Sequence, residues 1–86
     1  MNNIDHLIQM ANQIGAFFNA LPNREEGVEG VANHIRQFWD PRMRRALLNY
    51  LEQHPDGKTP NNALSEIALS ALTRNRERLM PQIPQQ

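Results

Sequence analysis

The chain has 86 residues, no cysteine, and equal numbers of Lys+Arg and Asp+Glu, 9 of each. That length is enough for one domain and one core; the lack of cysteine excludes disulfides, thiolate chemistry and cysteine-based zinc sites; zero formal net charge argues against a general nucleic-acid binder, which needs surplus positive charge to displace counterions. No apolar run is long enough to cross a bilayer, and residues 1–13 lack the basic start and continuous apolar stretch of a signal peptide, so no membrane partner and a cytoplasmic location are expected.

Helix 1 is expected from about Asn3 to Ala20, with Asn3 as N-cap and Asp5 at the positive end of the helix dipole. Ile4, Leu7, Ile8, Ala11, Gly15 and Phe18 recur at helical spacing, and a second stripe, Met10, Ile14, Phe17 and Leu21, runs beside them. Phe17 and Phe18 point about 100° apart, so the second half of the helix is apolar over a wide arc. Only a narrow polar ridge remains, through Gln9, Asn12, Ala16 and Asn19. Leu21-Pro22 stops the helix.

The segment 23–30, with Arg24, Glu25, Glu26, Glu29 and two glycines, reads in its first part as a mobile solvated loop. Helix 2 is expected from about Gly27 to Trp39 on the stripe Val28, Val31, Ala32, Ile35 and Phe38. Pro41 pushes Asp40 out of the helical region, Asp40 caps the next helix and Pro41 starts it. The result is a sharp corner at Asp40-Pro41 with almost no linker. Helix 3 is expected over 41–54, with Met43, Leu47, Tyr50, Leu51 and His54 on one face and Leu48 beside it; His54-Pro55-Asp56-Gly57 ends it. Helix 4 is expected over 60–80 on the stripe Leu64, Ile67, Ala68, Ala71 and Leu72. Beyond Leu72 the polar run 73–78 should project or fray, and residues 81–86 should form a disordered tail. The fold class is therefore all-α, a small four-helix bundle over residues 1–80, without strand alternation or internal repeat.

Catalytic patterns are missing from the sequence. His6, His34 and His54 lie on three segments without metal-ligand spacing. Gly27-Val28-Glu29-Gly30 carries acid where a phosphate would sit. Ser65 and Ser70 have no diagnostic His or acid partner. These readings point away from an enzyme, a metal site and a cofactor site. Two features stand out instead. Arg42, Arg44 and Arg45 occupy the positive end of helix 3, with Arg36 one helix earlier; each exposed cation there costs up to about 0.3–1 kcal/mol. They form either a tolerated solvated face or a set that pairs with a partner's carboxylates, for which the guanidinium fork is suited. Arg42 and Arg45 share a face while Arg44 points elsewhere. Phe38 continues the apolar stripe and reads as core. Trp39, one step off it at a helix end, reads equally as corner packing or as an interface residue.

Two stretches carry a family likeness. Met10-Ala11-Asn12-Gln13-Ile14 followed by Phe17-Phe18, and then the run from His34 through Phe38-Trp39-Asp40-Pro41-Arg42-Met43 to Arg44, resemble the signature stretches of the delta subunit of NAD-dependent formate dehydrogenase. The pair in this order is fairly specific, either half alone weak. The likeness covers roughly Ile4 to Leu72, and the chain departs from it in a longer polar link, 54–62, and in its Arg-rich and Pro-rich end. The resemblance implies a non-catalytic accessory or assembly subunit of a cytoplasmic enzyme complex, binding the large catalytic subunit and supporting complex stability or cofactor retention. It implies that the molybdenum or tungsten pterin, iron–sulfur clusters, FMN and NAD are held by other subunits and none by this chain. The partner-binding candidates are Phe17, Trp39, Asp40, Arg42, Arg44 and Arg45. Two other readings stay open: a module forming homo-oligomers through the apolar arc, and a small nucleic-acid-binding regulator using the arginines, against which the charge balance weighs.

Overall fold

The four longer helices begin where the sequence supplies a side chain for orphan N–H groups. Asn3 accepts from the His6 N–H at 3.2 Å, Asn23 from that of Glu26 at 3.0 Å, Asp40 from those of Arg42 and Met43 at 2.8 and 3.1 Å, and Ser65 from that of Ala68 at 3.4 Å. The computed structural model describes residues 3–81. In chain order it contains α1 (Ile4–Phe18), α2 (Arg24–Phe38), α3 (Pro41–Gln53), α4 (Glu66–Arg74) and α5 (Arg76–Leu79). The all-α class stands: the described residues hold no strand, only an isolated antiparallel bridge between Lys58 and Ala63.

Helix α2 is central, packing on α1 along one side and on α4 and α5 along another, while α3 packs against α1. Its stripe Val28, Val31, Ala32 and Ile35 is buried with Leu7, Ile8 and Ala11 of α1, Leu47, Leu48 and Leu51 of α3, Ile67, Ala68, Ala71 and Leu72 of α4, and Leu79 of α5.

Three expectations are corrected. The segment 23–30 is not a loop in its first part, because α2 starts at Arg24. Asn23 caps it, Glu25 and Glu26 lie in its first turn where the dipole favours acid, and Gly30 permits contact with α1. A Cβ on Gly30 would lie 2.3 Å from the Phe18 ring, so this glycine allows a close approach within a helix. Second, the expected helix over 60–80 is two helices, α4 and α5, broken at Asn75, and residues 54–65 are irregular. Gly57 turns that link at φ +69°, a backbone conformation glycine adopts without penalty.

Third, the Arg-rich end does not project. Arg74 pairs with Glu25 at 2.6 Å, Arg78 with Glu29 at 3.2 Å, and Arg76 with Glu52. The first two pairs match an i, i+4 acidic spacing on α2 to the same basic spacing on α4 and α5. Leu79 is buried beneath them. The expected disordered tail over 81–86 lies, except for the half-buried Pro81, outside the described residues.

The polar ridge of α1 holds the link. Asp5 accepts from the Thr59 hydroxyl at 2.5 Å and the Asn62 amide at 3.0 Å. Asn12 donates to the Ala63 carbonyl and accepts from the Ser65 N–H, both at 2.8 Å. The bonds from Thr59 first, then from Asn62, hold the Asp5 carboxyl below its usual range.

The Asp5 carboxylate is favoured in the folded state, so its contribution is present above the unfolded pKa and lost as pH falls through the depressed folded value. Thermal stability is expected to fall below about pH 4, and less so in Asp5→Asn; identical pH profiles of the two proteins would refute the assignment. Trp39, only 5% exposed, belongs to the core. Trp39→Ala should cost about 3–5 kcal/mol in urea unfolding, and a loss under about 1 kcal/mol would mean that the ring is not a packing element.

Candidate functional site

The geometry of the α2–α3 corner decides which aromatic side chain faces solvent. Helix α2 closes at Phe38, and its C-cap Trp39 takes φ −84° and ψ 136°. Asp40 is extended as well, at φ −71° and ψ 160°, as a pre-proline residue should be. The 100° progression of the helix therefore ends before Trp39, whose side chain turns into the core. Phe38, expected in the core, is 69% exposed, and the interface reading of Trp39 gives way to the packing one.

Phe38 belongs to a row of rings on the flank shared by α1 and α2. Phe17, 72% exposed, meets Phe18 edge to face at 5.0 Å. Phe18 meets His34 at 6.4 Å, and His34 lies 4.7 Å from Phe38 at a tilt of 40°. Beside the row, Gln13, Ile14, Phe17, Phe18 and His34 line an open hollow of about 330 Å³. Two large rings left in water next to such a hollow form an apolar patch of the kind that marks an association surface. Phe17 was expected here. Ile14, His34 and Phe38 were not, although the i, i+4 spacing of His34 and Phe38 places them on one face.

The arginines separate as their positions on α3 require. Arg42 is exposed and Arg45 half-buried, whereas Arg44 is buried. Arg44 stands on the stripe 44, 47, 48 and 51, whose other members are the core leucines Leu47, Leu48 and Leu51. Burial first, then the Arg36 charge, holds its pKa below the usual guanidinium range, with Asp40 acting the other way. Asp40 itself is committed to capping α3 through Oδ1. The corner thus brings Trp39 and Arg44 inward and does not gather Phe17, Trp39 and the arginines onto one surface.

The three histidines serve separate surroundings: His6 is exposed on α1, His34 sits in the ring row, and His54 stacks on Tyr50 at 4.1 Å. Among the described residues no three His, Cys, Asp or Glu side chains come together as a metal site would require. Among them too, no helix is long and apolar enough to cross a membrane.

Because Phe17 and Phe38 are mostly in water, Phe17→Ser and Phe38→Ser should each change stability by only about 0.5 kcal/mol. Urea unfolding checks this; losses above about 2 kcal/mol would return both rings to the core.

A comparison with protein families places residues 6–72 in a match to the family described as NADH-dependant formate dehydrogenase delta subunit FdsD. No curated protein and no solved structure matches the chain.

Proposed function

The chain belongs to the NADH-dependent formate dehydrogenase delta subunit family, and on that premise we propose that it is a non-catalytic accessory subunit that docks on the large catalytic subunit of a cytoplasmic enzyme complex. The exposed ring row from Phe17 to Phe38 carries this reading. A helix surface with two solvated phenylalanines gains free energy when covered, at roughly 25 cal/mol per Å² of apolar area. The same rings sit on helices whose remaining apolar faces are already used in the core.

The docking stabilises both partners by mass action, since each binds the folded form of the other. That is how a chain without a redox centre supports complex stability or cofactor retention. In this reading the molybdenum or tungsten pterin, the iron–sulfur clusters, FMN and NAD are all held by the other subunits. The alternative use of the ring row, contact between two copies of this chain, has a separate signature, a doubled mass of the isolated protein.

Co-purification tests the proposal. Phe17→Ser combined with Phe38→Ser should weaken retention by the catalytic subunit by about tenfold or more, with a parallel fall in formate-dependent NAD reduction by the assembled complex. Undiminished retention and activity would overturn the assignment of the ring row, and a wild-type chain that never co-purifies would overturn the subunit reading.

A further inference from the structure

Arg44 is the only charged residue that is buried among the described residues, at 8% exposure. Its Nε is sealed from solvent without a hydrogen-bond partner. The carboxylates that form ion pairs are engaged by other arginines: Glu66 by Arg24, Glu25 by Arg74, Glu52 by Arg76 and Glu29 by Arg78. A buried cation without an ion-pair partner is strongly disfavoured, and a core stripe position would be filled more stably by an apolar side chain of similar volume. Among the described residues Arg44 has no ion-pair partner, and the nearby Asp40 carboxylate offsets only part of the cost of its burial.

Arg44 also opens onto space. It lines a cleft of about 390 Å³ whose other walls are Arg36 of α2, Glu77 and Arg78 of α5, and Met80 and Pro81 beyond it. Arginines from three helices thus line one cavity together with one glutamate, and one of them, Arg78, is also paired with Glu29. The cleft is a product of tertiary structure, since Arg78 reaches it where α5 docks on α2, with Leu79 buried and Arg78 paired with Glu29.

We propose that this cleft seats a carboxylate side chain of the partner subunit, held by Arg44 with Arg36 and Arg78 at its rim. The proposal rests on the subunit reading above and adds the chemistry of a contact. A guanidinium presents two parallel N–H donors that match a carboxylate. Glu77 in the lining, and Glu29 on Arg78, disfavour a multiply charged phosphate and leave room for a single negative charge. Arg36 and His34 are two residues apart, about 200° around α2. The cleft and the ring row therefore flank opposite sides of its buried stripe, and a partner that reaches both wraps the C-terminal half of that helix.

Arg44→Met separates a binding role from a packing role. The free variant is expected to unfold at the same temperature as wild type or higher, while its affinity for the catalytic subunit, measured by titration calorimetry, falls about tenfold or more. Arg44→Lys should recover part of that affinity. A lower unfolding temperature with unchanged affinity would make Arg44 a packing residue and overturn the proposal. Should Arg44→Met fail to fold, the rim variant Arg36→Gln with Arg78→Gln reads the same affinity, and no weakening there overturns it too. Wild type that does not bind the catalytic subunit at all would instead refute the subunit reading. In a second arm, the free wild-type chain is titrated with acetate and with inorganic phosphate at matched ionic strength while the Arg44 Nε–H resonance is followed. Acetate shifting that resonance supports the proposal; phosphate binding tighter than acetate overturns the carboxylate assignment.

Discussion

The conformational restriction that Pro41 imposes on its neighbour is the constraint from which the rest of the arrangement follows. Proline lacks an N–H and disfavours the helical region for the residue before it. Asp40 is consequently extended, α2 has already closed at Phe38, and Trp39 lies between two helices in an extended conformation. One residue of lost helical rotation sends the tryptophan into the core and leaves the phenylalanine outside. The same corner sets the rotation of α3, so that Arg44, one turn in, lies on the buried stripe with Leu47, Leu48 and Leu51.

Around that corner the chain is tied together by polar contacts between segments about fifty residues apart. Asp5 and Asn12 of α1 fasten the irregular link before α4, and Glu25 and Glu29 of α2 fasten the end of the chain through Arg74 and Arg78. Exposed ion pairs contribute only about 0–1 kcal/mol each. Their main effect is to select one docking register for α4 and α5, while the buried apolar side chains supply most of the favourable free energy. A domain of this size buries a modest share of its surface, which makes stabilisation by a partner physically consequential.

The surface left over has two unlike parts. One flank of α2 shows rings that water solvates poorly, and the other opens onto the buried Arg44, which has no ion-pair partner among the described residues. Neither part improves the free chain. Both become favourable when covered by something of complementary character, apolar in the first case and anionic in the second.

Much of this was legible in the residues, because it depended on neighbours in sequence. The caps Asn3 and Asp40, the stripe of α1, the α2 stripe up to Ile35, the Asp40-Pro41 corner and the all-α class all follow from local rules of spacing, capping and proline sterics, whereas on α3 the expected face included the exposed His54 and not the buried Arg44. The two stretches that carry the family likeness lie in α1 and across the α2–α3 corner, within the matched residues 6–72. The local rules misplaced the start of α2, where Arg24, Glu25 and Glu26 looked like a loop until Phe18 and the α4 and α5 arginines were packed against that helix. They also read helix 4 as one rod and its basic end as frayed, since nothing near Arg74 or Arg78 in sequence reveals a glutamate forty-nine positions earlier. Sequence by itself determined which segments are helical and where the chain must turn, because those choices are made within a few residues. Only the tertiary structure decided that Phe38 faces water, that Trp39 does not, and that Arg44 lies buried beside Arg36 and Arg78, because burial is a property of what arrives from the rest of the chain.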